Sequence, residues 1–367
     1  MADKVQIAQH EQPIEKRGKR KSCMRHCAKF WWIYLLAFIA IVVLVVCLII
    51  FVAIPKIAQN KLDHAELTVD GIIVTKTEED KFNMAINSTI RSKGELTVDG
   101  IIVTKTEEDK FNMAINSTIR SKGGVKAKIA PFAAVMYLED IESHIPFVHL
   151  DFPETESVKI QTVNTTQEVT IPDMDAFTTF NTWLLGNETL RVTVEGKTHV
   201  KVNGISRKYG VTFKKTMELT GLNHFKGLTV TSNRVNITHD DNGDNFFGWV
   251  DIPNPSVFTI EIGNASFHAY YNSSNIGTAF LDDLYLYPGI NNVSMRANIS
   301  TAPVVRAMSS EPACDTGIVD FQLGGRDVFN NGEDLAYFGN ALSVSNLTVP
   351  IELATAFERD VGLTFEC

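Results

Sequence analysis

The sequence lacks the short motifs that mark the commonest enzyme classes. It has no Gly-x-Ser-x-Gly elbow, no phosphate-binding loop, no His-Glu-x-x-His pair and no paired cysteines at zinc spacing. Seven histidines follow residue 54, and none is spaced with Cys or acidic residues as a metal set. These absences argue against the familiar hydrolase, nucleotide and zinc chemistries. We therefore expect no catalytic residue, no cofactor and no metal site.

Positive charge is scarce outside the first 29 residues. Residues 1–29 contain eight Lys or Arg and three acidic side chains, so they carry +5, whereas the whole chain carries −9. Because residues 30–54 are uncharged, residues 55–367 carry −14. A surface of that sign repels phosphate, so we expect no nucleic-acid partner.

Charge, proline and glycine are all absent from residues 30–54, which read FWWIYLLAFIAIVVLVVCLIIFVAI. As a helix this segment extends about 37 Å, which exceeds the ~30 Å hydrocarbon core of a bilayer. It predicts a transmembrane signal anchor, because the apolar stretch of a cleaved signal peptide, the alternative, is usually about 7–15 residues. The basic tail 1–29 would be disordered and cytosolic, and the rest lumenal or extracellular, as in a type II single-pass protein.

Ten Asn-x-Ser/Thr sequons follow the predicted span and none precedes it. This one-sided distribution agrees with a lumenal location, where N-glycans are attached. Asn and Thr are also frequent in β-rich sequence, so we expect some sequons to stay unused. The candidate glycosylation sites are Asn87, Asn116, Asn164, Asn187, Asn236, Asn264, Asn272, Asn292, Asn298 and Asn346.

Cysteine is scarce, with five in 367 residues. Only Cys314 and Cys367 follow the span, where an oxidising compartment permits one disulfide between them; two free thiols are the alternative. Cys23 and Cys27 lie just before the span, where palmitoylation is chemically reachable. Reduced, unmodified thiols fit a cytosolic tail equally well.

One 29-residue segment, ELTVDGIIVTKTEEDKFNMAINSTIRSKG, occurs at residues 66–94 and again, unchanged, at residues 95–123. Structural repeats diverge because each copy packs against different neighbours. An unchanged copy therefore indicates a recent tandem duplication or an assembly fault. We expect one copy to fill a place in a sheet and the other to be a long insertion or a substitute for it.

Beyond the duplication, short runs rich in Val, Ile, Thr, Phe and Tyr alternate with polar residues and end at Gly, Asn, Asp or Pro. This pattern predicts strands of β-sandwiches rather than α/β units. The runs include Val125–Ile129, Val158–Val163, Leu190–Val194, Val200–Val202, Val257–Ile262, Val293–Ile299 and Val344–Val349.

One segment, Asp173–Leu185, has a helical pattern instead. Asp173 can cap the first turn, and Met174, Phe177, Phe180 and Trp183 recur at helical spacing. We predict a helix lying on the sandwich. A ligand-binding aromatic box is the alternative.

A weaker repeat relates the two halves of the chain. Two glycines and a tyrosine, separated by 8 and then 5 residues, occur in the first half and again 128 residues later. These positions are Gly196, Gly204 and Tyr209, then Gly324, Gly332 and Tyr337. Two further pairs of matching segments occur in the same order in both halves. We therefore predict two tandem β-sandwiches of one fold, at residues 62–221 and 222–367, each within the usual domain size.

The second predicted sandwich contains the segment with the most characteristic sequence, residues 249–300, which read WVDIPNPSVFTIEIGNASFHAYYNSSNIGTAFLDDLYLYPGINNVSMRANIS. This segment resembles the late-embryogenesis-abundant type 2 domain, also called the water-stress and hypersensitive-response domain. The resemblance rests on four features in order: an Asn-Pro after a strand, an edge-strand Tyr, a Gly-containing link, and a Pro-Gly before an alternating strand. Over residues 16–367 the chain resembles a fungal family of uncharacterised single-span membrane proteins with such lumenal domains. The unchanged duplication departs from that layout.

This resemblance implies immunoglobulin-like or fibronectin-like β-sandwiches and, for some relatives, residence in the vacuole membrane. It supplies no catalytic residues. Segment 240–251 imitates the ligand spacing of a calcium loop, but Asn245 replaces the required Gly and the flanks read as strands. An exposed turn is therefore favoured there.

These observations favour a non-enzymatic membrane protein that displays glycosylated sandwiches in the vacuolar or late-secretory lumen, or at the plasma membrane. It would act as a binding, scaffold or signalling module with a lumenal protein or lipid partner. The alternative is lipid handling, in which the sheets part to admit an acyl chain, with residues 145–152 and 246–252 as candidate linings. A glycan hydrolase is a third hypothesis, and it requires two carboxylates about 5–9.5 Å apart across a cleft.

Overall fold

The computed structural model describes residues 32, 36, 38–63, 66–69, 95–120, 127–156, 160–344 and 346–367. The basic tail with Cys23 and Cys27, and several residues of the predicted span, lie outside these ranges. The chain divides into two compact units, residues 1–57 and 58–367. In the first, residues 38–48 are helical and a π-helical turn, Ile49–Ala53, follows; helix α1, Ile54–Asp63, begins in the first unit and ends in the second. Within the described ranges, no helix has both the length and the apolar character needed to cross a membrane.

The second unit is mainly β, which confirms the predicted class. Its strands are β1 (Glu66–Val69), β2 (Glu95–Thr104), β3 (Lys110–Arg120), β4 (Ala127–Ile129), β5 (Phe132–Leu138), β6 (Val148–Phe152), β7 (Thr155–Glu156), β8 (Ile160–Thr170), β9 (Thr189–Val202), β10 (Lys208–Thr220), β11 (Thr229–Val235), β12 (Phe246–Asn254), β13 (Phe258–Tyr271), β14 (Ser274–Leu286), β15 (Gly289–Ile299), β16 (Ile318–Asn330), β17 (Glu333–Asp334) and β18 (Leu347–Glu352). Its other helices are α2 (Met174–Gly186), α3 (Thr301–Met308), α4 (Ala313–Thr316), α5 (Ala336–Ser343) and α6 (Ala354–Val361), with a 3₁₀ turn at Asn223–Phe225.

Twelve of the described strands form one sheet, whose main path runs β11-β12-β15-β14-β13-β2-β3-β8. Strand β13 is its branch point, because β14 pairs along one edge while β2 and β16 share the other. A bulge at Gly263 (φ +90°) bends β13, and an added Cβ there would lie 2.6 Å from the Phe329 carbonyl oxygen. Strands from both predicted sandwiches thus share this sheet, and the division at residue 221 stays a prediction.

The second sheet contains six of the described strands, in the order β6-β5-β9-β4-β7, with β10 on the other side of β9. The two runs that the sequence separates, Leu190–Val194 and Val200–Val202, belong to the single strand β9. Its first half pairs with β5 and its second half with β4. Pairing with two successive partners keeps the strand continuous where the local sequence suggests a break.

Helix α2 confirms the predicted helical segment. The Asp173 carboxylate accepts a hydrogen bond from the Ala176 backbone N–H at 2.8 Å and so caps the first turn. The apolar stripe is buried in an aromatic cluster in which ring centroids lie 4.3–6.4 Å apart. This cluster comprises Phe111, Phe147, Phe177, Phe180 and Tyr337, and it packs strands and helices from both halves of the chain together.

The second copy of the duplicated segment provides the hairpin β2–β3, which is paired from Glu95 with Arg120 to Thr104 with Asn112. The first copy is described only over β1, and residues 70–94 lie outside the described ranges. Strand β1 pairs with β2 in parallel, so that each residue faces its own duplicate, from Glu66 beside Glu95 to Val69 beside Val98. The second copy therefore occupies the place in the sheet.

Candidate ligand-binding site

An apolar cavity of about 60 Å³ lies between the strands and helices of residues 235–357. Alanine at three inward positions, on β13, β14 and β15, leaves space that larger side chains would fill. The lining residues are Val235, Asn236, Asn245, Phe246, Ala269, Ala279, Met295, Ala297, Ile299, Thr301, Val304, Phe321, Leu323, Val349, Ile351, Leu353 and Phe357. We refer to it as the inner cavity.

A second cavity of about 30 Å³ adjoins the inner cavity and is lined by apolar side chains alone. The two share four wall residues: Ala279, Met295, Leu323 and Val349. Ala279 lies in the wall between the two cavities, and because its side chain is a single methyl group, that wall is thin there. We refer to this second space as the middle cavity.

A larger groove of about 260 Å³ lies beside the middle cavity, between the ends of helices α2 and α5. Three residues, Phe225, Leu342 and Leu347, line both the groove and the middle cavity. The groove also presents polar groups, including Asn187 and His224. Groove, middle cavity and inner cavity therefore form a row, in which the middle cavity is lined by apolar side chains alone and the inner cavity adds a small polar edge.

Phe225 stands at the boundary between groove and middle cavity because of an unusual backbone turn. Asn223, His224 and Phe225 have φ of 46°, 51° and 51°, a left-handed conformation that costs L-residues about 1–2 kcal/mol each. The turn is tied to the end of α2: Leu222 N–H donates to the Leu184 carbonyl at 2.7 Å, and Asn223 N–H to that of Asn187 at 3.1 Å. These bonds fix the position of the Phe225 ring.

The polar edge of the inner cavity is neutral. The buried Asn245 side chain donates to the Ile299 carbonyl at 2.8 Å and accepts from the Ile299 N–H at 2.9 Å, so its amide is satisfied. Asn236 and Thr301 are the other polar lining residues, and no lining side chain titrates. The cavity therefore offers hydrocarbon surroundings without a general acid or base.

Arg296 forms the strongest charged contact near the cavity. Its guanidinium binds Asp282 at 2.6 Å and Asp244 at 2.8 Å and lies 4.3 Å from the Phe280 ring centroid. The hydrogen bonds that Arg296 donates to Asp282, and then to Asp244, raise the pKa of Arg296 above its ordinary value. The cation therefore persists and neutralises the Asp244 carboxylate, whose side chain is only 2% exposed.

Within segment 240–251, residues 240–243 form a surface turn, whereas Asp244 and Asn245 are buried and residues 246–251 belong to β12, so the predicted exposed turn is shorter than the segment. The Asp240 carboxylate accepts from the N–H groups of Asn242 and Asp244 at 2.9 and 2.8 Å. Asp251 accepts from the Asn292 side chain at 2.7 Å. With Asp244 bound by Arg296, these oxygens are not arranged around a common cation position.

Helix α6 closes the inner cavity with Phe357 and is anchored by Asp360. The Asp360 carboxylate accepts from the Val235 N–H on β11 at 2.9 Å. Hydrogen bonding by Arg359, together with a smaller contribution from the Val235 N–H, lowers the pKa of Asp360 to about 2.

Replacing Asp360 by Asn should weaken this anchor in a pH-dependent way. The folded-state pKa of about 2 lies below the ordinary value of 3.8, so the carboxylate stabilises the fold above about pH 5 and loses this effect as pH falls towards 2. Solvent screening reduces the contribution, and we expect Asp360→Asn to cost about 1 kcal/mol at pH 7. Denaturant unfolding at pH 7, 4 and 2.5 measures it. Glu358→Gln, on the exposed side of α6, is the control, and a cost that persists at pH 2.5 would contradict the assignment.

Nine of the ten sequon asparagines lie within the described ranges, and Asn87 lies outside them. Seven are exposed and two are half-buried; the half-buried ones are Asn116 and Asn236. Asn116 and Asn164 face each other across the β3–β8 pair. Their use as glycosylation sites stays a prediction.

The sulfurs of Cys314 and Cys367 are bonded to each other, with their Cα atoms 5.3 Å apart. Beside this bond, the Phe365 ring packs edge-on against Phe357 at 5.3 Å. Within the part of the chain that the structure describes, the one cluster with metal-ligand spacing is Cys314, Asp315 and Cys367. Its two sulfurs are already used in the disulfide.

The two segments that the sequence suggests as acyl-chain linings have different locations. From residues 246–252, Phe246 lines the inner cavity, and Val250 and Ile252 line the middle one. Residues 145–152 line none of the three spaces; their buried members, such as Phe147 and Leu150, belong to the packed core. The sequence analysis missed the Ala positions and Phe225, because an alanine within a single strand does not indicate open space.

Residues 145–269 match the DUF3712 family, described as a protein of unknown function. The match covers about a third of the chain, from the loop before β6 into β13. It includes three strands that contribute to the two cavities, β11, β12 and β13. No curated protein matches the chain.

Among solved structures, two glycosyl hydrolase family 2 members from Bacteroides cellulosilyticus align at 9% identity over 42% and 46% of this chain, with TM-scores of 0.20 and 0.19. This chain covers only 16% and 18% of theirs. A bacterial adhesin from Mobiluncus mulieris, with intramolecular disulfide, isopeptide and ester cross-links, aligns at 8% identity over 64% of this chain and 81% of its own, with a TM-score of 0.19. Similarities this low carry no argument about fold or function.

Proposed function

We propose that this chain is a non-enzymatic, membrane-anchored protein that binds a lipid by taking an apolar chain into the interior of its second unit. The observation that supports this function is the row formed by the groove and two cavities, because the walls of both cavities are mostly or entirely apolar. Reactive groups are lacking from the lining of the inner cavity, whereas methyl, methylene and aromatic surfaces are plentiful. Binding is therefore favoured over catalysis for this site.

The size of the spaces indicates how such a ligand would bind. About 60 Å³ holds roughly four water-sized groups, and burial of each methylene contributes about 0.8 kcal/mol, so the inner cavity supplies about 3 kcal/mol. Firm binding then requires the chain to extend through the middle cavity as well. The polar end of the lipid would remain in the groove beside Asn187 and His224.

The proposed location rests on the sequence. Residues 30–54 would anchor the chain, the basic tail would stay in the cytosol, and residues 58–367 would lie in the lumen of the vacuole or another late secretory compartment, or outside the cell. N-glycosylation and membership of the fungal late-embryogenesis-abundant type 2-like group, with its immunoglobulin-like or fibronectin-like sandwiches, belong to the same proposal. The membrane that holds the anchor would be the source of the lipid.

Replacing Ala279 by Leu should block binding, because this residue lines both cavities. The full chain is expressed in cells that are fed a clickable, photoreactive fatty acid, irradiated and digested. Peptides from β12 and β14 should carry the label in the wild type, and Ala279→Leu should reduce labelling about tenfold, an effect typical of small changes in an apolar pocket.

Ala133→Leu is the matched control, since Ala133 is exposed on β5 of the other sheet. Melting temperature is measured for each variant, because the added Leu atoms fit the existing space and should leave the fold intact. If Ala279→Leu unfolds the protein, Ala297→Val on β15 replaces it. Equal labelling of wild type and cavity variants, or label confined to peptides outside the cavity walls, would refute the proposal.

A further inference from the structure

Five exposed apolar side chains of residues 58–367 lie next to sequon asparagines. Ile237 follows Asn236, Val344 precedes Asn346 by two residues, and Phe329 faces Asn264 across the β13–β16 pair. The other two, Trp249 and Ile290, surround Asn292. Exposed apolar groups on a folded protein often mark a contact surface, and their position beside sequons indicates what covers them.

Asn292 occupies the centre of the clearest of these sites. On the outward face of the β12–β15 pair it lies opposite Asp251, with Trp249 and Pro253 on its diagonals. Ile290 is its neighbour two residues earlier on the same face. Trp249 is 49% exposed and Ile290 is 68% exposed. At such spacings, diagonal partners are within reach of aromatic side chains and of anything attached to the asparagine.

We infer that Asn292 carries an N-glycan whose first sugar lies on Trp249 and Ile290 and covers this apolar patch. The inference rests on the lumenal placement proposed above. It goes beyond that placement by assigning to one of ten sequons a structural role in the folded protein.

The geometry of the amide is suited to this modification. Asn292 Nδ2 donates one hydrogen to Asp251 at 2.7 Å, which orients the side chain. In glycosylation Nδ2 bonds to C1 of a sugar held on a lipid diphosphate; the C1–O bond to the diphosphate breaks and Nδ2 loses its other hydrogen as a proton. The N–H that contacts Asp251 is retained. The apolar C–H face of the pyranose can then pack on the indole ring.

The experiment uses the full chain produced in a secretory host. Glycopeptide mass spectrometry records which sequons carry sugar. Two variants each remove this sequon, Asn292→Gln and Ser294→Ala. Ser294→Ala keeps Asn292 and its hydrogen bond to Asp251. Asn164→Gln is the matched control, because that sequon is exposed on a strand face among polar residues.

We expect Asn292 to be occupied. Either sequon variant should increase acrylamide quenching of tryptophan fluorescence and lower the melting temperature by about 2 °C. In a Trp249→Ser background the same variants should change neither quantity, because the covered ring is absent. Asn164→Gln should change neither in either background.

Three results would overturn the inference, and they differ from one another. Sugar on other sequons with Asn292 bare would show that the patch serves something else. Sugar on Asn292 with quenching and melting unchanged in both variants would show that the glycan does not touch Trp249. Absence of sugar from every sequon would refute the lumenal placement itself, and this inference with it.

Discussion

Tyr337→Ala is expected to lower the free energy of unfolding by about 3–5 kcal/mol, as for other large aromatic side chains removed from a core. The Tyr337 side chain is 1% exposed, and its ring lies 4.9 Å from that of Phe177 and 4.8 Å from that of Phe338. Its hydroxyl donates to the Glu107 carbonyl at 3.1 Å. Burial raises the pKa of Tyr337 above its ordinary value, so this donor persists throughout the physiological range.

Tyr337→Phe separates the ring from the hydroxyl, since it keeps the packing and removes one hydrogen bond, at a cost of about 1 kcal/mol. Denaturant unfolding of the full chain, followed by fluorescence and circular dichroism, measures both variants. Because the aromatic cluster joins β3 and α2 of the first half to α5 of the second, the two signals should change together in the wild type. Equal costs for the two variants would contradict a packing role for the ring.

Replacing both Cys314 and Cys367 by Ser should cost about 2–4 kcal/mol. The bond joins residues 53 positions apart, and chain-entropy arguments give about 4 kcal/mol as an upper value for such a loop. The loop contains β16, β18 and α6, which form one wall of the inner cavity. The double variant should therefore also bind the photoreactive fatty acid less well.

Unfolding of oxidised, reduced and doubly substituted protein measures this effect. Reduced wild type and the Ser variant should agree, because both lack the bond. Cys47→Ser is the matched control, since Cys47 is free and exposed within the described ranges. A double variant as stable as the oxidised wild type would refute the prediction.

Local features of this fold were predictable where a few neighbouring residues decide them. Asp173 and the Phe spacing that follows it predict α2, because capping and amphipathic periodicity act within a few turns. Strand runs such as Val257–Ile262 were recognised for a similar reason, since alternation is visible in the sequence itself. Short helices were missed, because α3, α5 and α6 have only eight residues each and lack a side-chain cap.

Long-range features could not be predicted in the same way. Nothing within β2 indicates that its residues 101–103 pair in parallel with 258–260, because register between distant strands depends on the whole assembly. The inner cavity arises where Ala269, Ala279 and Ala297 on neighbouring strands come together. Alanine in any one strand predicts nothing, and only their convergence creates space.

The parallel pairing of β1 with β2 has a consequence for how the polypeptide is threaded. Since residues 66–94 and 95–123 are identical, either stretch supplies the sequence that the β2–β3 hairpin requires. Whichever stretch forms it, the hairpin presents the same side chains, and the choice decides which connection is long, a difference that loop entropy penalises weakly. The chain therefore contains two copies of the sequence that forms this hairpin, and a damaging substitution in one copy leaves the other unchanged 29 residues away.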